Sequence, residues 1–273
     1  MYESFFGLEV KPFRKTPDPA FLYRSRAHDE AMARMEMVVE DRDLMLLVGD
    51  IGSGKTTLSR VLIDRLDGPK PVLIVNPVLT PNQLLRTIAL RLGADKPRHY
   101  KADLIDQVND LIWDANERGN TPVIIVDEGQ LIPSRATFEE IRLITNFQLD
   151  DSNLVSMILL AQPEIERRLN RKDYEAFRQR IGMQFKLGPL AAEETPLYMD
   201  HRIGVAGGDP SIFNDDAKIL VHQYSKGIPR KINNLAASSM LEAFSRNKKK
   251  ITPSVVKDAA LDLGMTENAE MAA

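Results

Sequence analysis

Along the chain, short unbroken apolar runs alternate with longer segments whose apolar residues recur every three or four positions. The runs "LMLLV", "PVLIV", "PVIIV" and "SMILLA" lack the strict alternation of a half-exposed strand and read as strands of a parallel sheet buried on both faces. With a last strand ahead of "GPL", they predict strands at 44–48, 72–76, 122–126, 155–160 and 183–187. The intervening periodicity predicts helices at 55–66, 81–92, 102–118, 136–149 and 163–178. In "TPNQLLRTIALRL" the local chemistry agrees, with Thr80 placed to cap, Pro81 in the first turn and leucines on one face. Strand and helix in alternation define an α/β fold, a parallel sheet covered by helices.

After "KLGPL" the pattern changes. From Ala191 to about Leu263 the periodicity is helical throughout, and Gly207-Gly208-Asp209-Pro210 and Gly227-Ile228-Pro229 separate the helices. This predicts a second, helical domain. The closing "TENAEMAA" lacks apolar periodicity and is expected to fray. No internal repeat is visible.

Composition narrows the picture. The 273 residues, 43% hydrophobic, suffice for a large core with a smaller appendage. A net charge of −3 gives no global attraction to nucleic acid or membranes, so a nucleic-acid site has to be a local patch. The absence of cysteine excludes disulfides and thiolate metal sites. Each apolar run falls far short of the roughly 20 residues needed to span a bilayer, so no membrane insertion is expected. "MYESFFGLEVKPFRKTPDP" is not built like a secretory signal, and the cytoplasm is the expected location.

The chemistry is concentrated in a few short stretches. Gly49, Gly54, Lys55 and Thr56 match G-x-x-x-x-G-K-[ST] between an apolar strand and a helix with Leu58, Val61, Leu62 and Leu66 on one face. Backbone N–H groups of Gly49, Asp50, Ile51, Gly52, Ser53, Gly54, Lys55, Thr56 and Thr57 are candidates to wrap a nucleotide's phosphates. Lys55 is placed for the β- and γ-phosphates and the Thr56 hydroxyl for Mg²⁺. "PVIIVDEGQ" sets Asp127 and Glu128 at the end of a second buried strand, at the edge where parallel sheets bind ligands. Asp127 is a candidate partner of the metal, and Glu128 a candidate to orient or deprotonate the attacking water. Gln162 ends a third buried strand, where it either senses a γ-phosphate or caps the next helix. Arg178 and Arg180 close a helix ahead of the last strand. They either complement its dipole or reach a neighbouring subunit's nucleotide. Pro229 suits a first helical position and so puts Arg230 and Lys231 in a first turn, where the dipole disfavours cations and an anion should compensate.

Taken together these stretches resemble the AAA+ ATPases of the ExeA/GspA type over nearly all of residues 1–263. The resemblance is carried by "FFGLEVKPFRKTPDPAFLYRSRAHDEAMARM", "GDIGSGKTTLSR", "VDEGQLIP", "LLAQPEIERRL", "RQRIGMQFKLGPL" and "GIPRKINNLA". It implies a P-loop NTPase with a RecA-like (ASCE) parallel sheet core and a C-terminal helical lid, using ATP and Mg²⁺. Lys55 and Thr56 would be Walker A, Asp127 and Glu128 Walker B, Gln162 sensor 1, and Arg230 sensor 2. Arg180 would be the arginine finger, with Arg178 as the alternative. The implied division is a lead-in at 1–43 packing on the core, a nucleotide-binding core at 44–188, a lid at 189–263 and a tail at 264–273. The lead-in carries Pro17, Pro19, Phe21, Tyr23 and His28, either near the adenine or as an aromatic clasp. Gly129 stands where alanine is common in the family.

The resemblance also frames what the energy is used for. The leading expectation is an oligomeric switch, a ring or filament in the ATP state, that engages duplex DNA and a transposase in the manner of TniB/TnsC-like partners. "RRLNRK" at 167–172, Arg246 and "KKK" at 248–250 are the candidate phosphate contacts. The alternative is an accessory ATPase of type II secretion or pilus assembly that acts on protein partners. A third reading, a scaffold that binds nucleotide without hydrolysing it, is disfavoured by Glu128.

Overall fold

The computed structural model describes residues 2–14, 16, 18–148 and 152–265; Pro17 and the tail from 266 to 273 lie outside the described residues. The chain divides into two compact units. One comprises His28–Gly49 and Leu58–Leu187; the other gathers the described residues of Met1–Ala27, Asp50–Thr57 and Gly188–Ala273. The lead-in expected at 1–43 is therefore shared between the units, its first part grouping with the C-terminal helices.

The first unit is built on a parallel sheet of five strands: β1 Leu44–Gly49, β2 Lys70–Ile74, β3 Pro122–Val126, β4 Ser156–Ala161 and β5 Met183–Leu187. Their order is β2-β3-β4-β1-β5. The three central strands are buried at every position, which is why they appear in the sequence as unbroken apolar runs. The edge strands β2 and β5 have exposed positions. Strand β2 starts at Lys70 rather than 72, because an edge strand tolerates Pro71. Val126 pairs with Leu159 and Leu47 with Leu160, so the carboxyl ends of β3, β4 and β1 lie together along one edge.

Helices cover this sheet. Helix Pro81–Leu92 carries the Thr80 cap with a reciprocal bond from the Thr80 N–H to Gln83, and it ends at Gly93 in the left-handed region. The expected helix at 136–149 stops at Thr145. The expected helix at 163–178 is broken into Glu164–Leu169, a 3-10 turn Lys172–Tyr174 and Glu175–Arg180. Extended Arg171 interrupts it and lets Tyr174 pack edge-on against Phe138 at 5.4 Å, while Phe177 sits 4.9 Å from the same ring. Burial of these three rings outweighs the local helical preference of the segment.

The second unit packs helices Glu194–Val205, Asp215–Ser225, Pro229–Ser245 and Pro253–Asp262 around Met199, Val221, Leu235, Met240 and Val256. The opening segment joins this core through Phe6, Leu8, Phe13 and Phe21. Arg202, only 7% exposed, holds it there: its guanidinium lies 4.9 Å from the Phe21 ring and its Nε donates to the Pro12 carbonyl at 2.7 Å. Tyr23 meets Tyr198 edge to face at 6.0 Å. The lead-in aromatics thus clasp the helix Glu194–Val205.

Candidate functional site

In the second unit, the chain turns through Asp50–Gly54 and enters the helix Lys55–Arg65. Gly52 at φ +82° and Gly54 at φ +106° occupy backbone regions that a side chain disfavours. The Ser53 amide donates to the Asp50 carbonyl at 3.1 Å, closing the turn. Lys55 is 7% exposed, and its Nζ donates to the same carbonyl at 3.0 Å. Its charge is therefore held inside the curl of the loop. Thr56 and Thr57 follow in the first helical turn, at the end of the helix whose dipole favours an anion.

Arg230 comes to this loop. Its amide donates to the Gly52 carbonyl at 3.3 Å, and a Cβ on Gly52 would overlap the Cβ of Arg230 and lie 3.2 Å from its Cγ and Cδ. Pro229 occupies the first turn of helix Pro229–Ser245, as the sequence predicts, so Arg230 sits where the dipole repels a cation.

In the first unit, Asp127 follows β3 and is 3% exposed. Its Oδ1 accepts the Glu128 amide at 2.8 Å, and its own amide donates to the Ile74 carbonyl at 2.9 Å. Glu128 takes φ 56°, ψ 40°, a left-handed conformation that costs a non-glycine residue about 1–2 kcal/mol. Strain of this kind gathers at functional sites. It turns the carboxylate toward Gln162, which directly follows β4: the Gln162 Nε2 donates to Glu128 Oε2 at 2.9 Å. Gln130, to which the sequence assigns no role, donates to the same oxygen at 2.6 Å. The only sequence signal for Gln130 is its position two residues after Glu128. Gly129 is also explained, since a Cβ there would overlap Leu159 Cδ1.

Arg178 and Arg180 sit elsewhere. Arg180 donates to the Thr145 carbonyl and to Asn153 Oδ1 at 3.1 Å, and pairs with the Asp43 carboxylate at 3.6 Å. Asp43 immediately precedes β1, so Arg180 lies at the amino edge of the sheet, opposite Asp127 and Gln162. Arg178 is exposed, with one contact of 3.4 Å to Asn170 Oδ1.

Much of the basic character expected to meet DNA is engaged within the chain. Arg168 lies 4.9 Å from the Phe138 ring and donates to the Tyr174 hydroxyl at 2.9 Å, and Arg171 pairs with Asp173 at 3.3 Å. Arg246 bridges Glu242 and Asp258, Lys249 caps the Phe5 ring, and Lys250 donates to the Ser211 carbonyl at 2.6 Å.

A strand-loop-helix with the G-x-x-x-x-G-K-T pattern and a parallel sheet whose neighbouring strands end in an acidic pair and a polar residue define a P-loop NTPase. Residues 38–169 match the AAA domain family, and the chain has the AAA+ fold. It is 35% identical over 268 residues to General secretion pathway protein A of Aeromonas hydrophila, covering 96% of this chain and 48% of that protein. The chain thus spans about half the length of that relative. Among solved structures it is similar to the Aeropyrum pernix ORC2 protein, with TM-score 0.71, 18% identity, and 93% of this chain and 71% of that one covered. It is also similar to the Thermotoga maritima RuvB Holliday junction branch migration motor, with TM-score 0.60, 18% identity, and 88% and 70% covered. Among the described residues no helix is long and apolar enough to cross a membrane.

Proposed function

We propose that the chain binds ATP with Mg²⁺ and hydrolyses it as an oligomeric switch. The observation that carries the proposal is the Glu128 carboxylate, set beside buried Asp127 at the end of β3 and bonded to Gln162 at the end of β4. The donors fit the cofactor. The glycine turn, the Lys55 ammonium and the first-turn amides suit phosphate, and the Thr56 hydroxyl and the Asp127 carboxylate are each, by residue type, a hard oxygen ligand of the kind Mg²⁺ takes. Bound there, the metal would neutralise charge on the phosphates.

Each residue then has a task. Lys55 and Arg230 bind and orient the phosphates. Glu128 takes a proton from a water whose oxygen bonds to the γ-phosphorus while the β–γ bridging oxygen leaves with ADP, and Gln162 orients that water. Arg178 or Arg180 is supplied to a neighbour's nucleotide, which makes assembly a requirement of turnover.

For the use of the energy we favour a protein partner, in type II secretion or pilus assembly, with the chain acting in the cytoplasm where ATP is supplied. The likeness to General secretion pathway protein A supports this, and the internal commitments of Arg168, Arg171, Arg246, Lys249 and Lys250 weaken the DNA and transposase reading. The test is sedimentation with Mg²⁺ and ATP, with and without duplex DNA at low salt, alongside phosphate release. Assembly and turnover without added DNA support the proposal. Cooperative DNA binding that weakens steeply with salt would return the DNA reading to first place.

A further inference from the structure

We propose that Gln130 is a positioning residue for ATP hydrolysis, holding the carboxylate of Glu128 and tying it to Gln162; the inference rests on Glu128 being the base. Both polar ends of the Gln130 side chain are used. Its Nε2 donates to Glu128 Oε2 at 2.6 Å, and its Oε1 accepts the main-chain amide of Gln162 at 3.0 Å. Gln162 returns through its own Nε2 to the same Glu128 oxygen at 2.9 Å. The three residues close a ring that joins the end of β3 to the end of β4.

This ring admits one orientation of the Gln130 amide. Reversed, its NH₂ would face the Gln162 N–H and its carbonyl would face the carboxylate, two repulsive pairs in place of two bonds. The backbone under Gln130 is fixed as well. Leu131 donates to the Glu128 carbonyl at 2.8 Å, Ile132 donates to the Gly129 carbonyl at 3.2 Å, and Arg168 donates to the Ile132 carbonyl. Gly129 lets the turn lie directly on Leu159 of β4. Gln130 therefore projects from a braced turn, and Glu128, whose side chain has three rotatable bonds, is held by two amide donors. When Gln162 turns toward a γ-phosphate, Gln130 keeps hold of the carboxylate and of the Gln162 backbone, so the base does not swing away with the sensor.

The test compares Gln130→Met, which keeps the length of the side chain and removes both bonds, with the parent protein. A misplaced base costs up to about 100-fold in rate, so we expect kcat to fall at least 10-fold. ATP affinity should stay unchanged, the melting temperature should fall by no more than the loss of two hydrogen bonds requires, and Gln130→Met should lower turnover no further in a Glu128→Gln background. A merely structural role for Gln130 would lower the melting temperature while kcat at a temperature below the transition stays at the parent value, or would weaken ATP binding, and either would overturn the proposal. So would an unchanged kcat in Gln130→Met while Glu128→Gln is inactive. If Glu128→Gln itself turns over at the parent rate, the assignment of the base has failed, and the proposal falls with it.

Discussion

The main-chain amide of Arg230 donates to the carbonyl of Gly52 at 3.3 Å, and only the absence of a side chain on Gly52 allows the approach. The first turn of helix Pro229–Ser245 and the glycine loop are thereby in direct contact, and the proposed phosphate site draws on Arg230 from one and Lys55 from the other.

Gly52→Ala should therefore damage nucleotide binding. The new methyl would meet the Cβ of Arg230, which cannot retreat without moving its helix, at a φ of +82° that an L-residue disfavours. A loss of about 10-fold or more in ATP affinity is expected in a fluorescence titration, equal to about 1.4 kcal/mol. Gly119→Ala is the control: φ is +75° there, but nothing lies within 4 Å, so ATP affinity should not change.

The two arginines ahead of β5 should separate in their effects. Arg180, with bonds to Thr145, Asn153 and Asp43, braces the amino edge of the sheet. Arg180→Ala should cost about 1–3 kcal/mol of stability, read as a lower melting temperature. Exposed Arg178 is the better placed of the two to reach a neighbour, although the family resemblance points to Arg180. Arg178→Ala should leave melting unchanged and lower kcat by about 10³. Mixing it with Lys55→Ala should restore part of the activity through mixed interfaces. No rescue at any ratio would remove Arg178 as a residue supplied in trans.

Acid should loosen the helical unit before it reaches the carboxylates. Burial lowers the pKa of both His201 and His222 from the usual 6.5, and His222 Nδ1 lies 2.7 Å from the Thr195 hydroxyl. The unfolded chain thus binds more protons than the folded one as pH falls below about 6.5, so stability is full above that value and declines below it. Melting temperatures measured from pH 7.5 to 5 should fall, and His222→Gln should flatten part of the slope.

How far the sequence discloses this architecture depends on whether the cause is local. The strands are legible because β1, β3 and β4 are buried on both faces, and the phosphate loop because its glycines, Lys55 and Thr56 are contiguous. The break in the helix expected at 163–178 is not legible, since it comes from Tyr174 and Phe177 packing on Phe138, some 36 residues earlier in the case of Tyr174. The role of Gln130 and the clasp of Arg180 on Asp43 also depend on strand order, which brings β3 beside β4 and β1 beside β5. Nothing in the stretches around those residues states that order.

The central claim is that Glu128 handles the water while Lys55 holds the nucleotide. Phosphate release from ATP and Mg²⁺, measured beside ATP affinity for the parent, Glu128→Gln and Lys55→Ala, tests it most directly. Glu128→Gln should bind ATP as the parent does and lose turnover by about 10²–10⁴, while Lys55→Ala should lose binding. Glu128→Gln hydrolysing ATP at the parent rate would contradict the account.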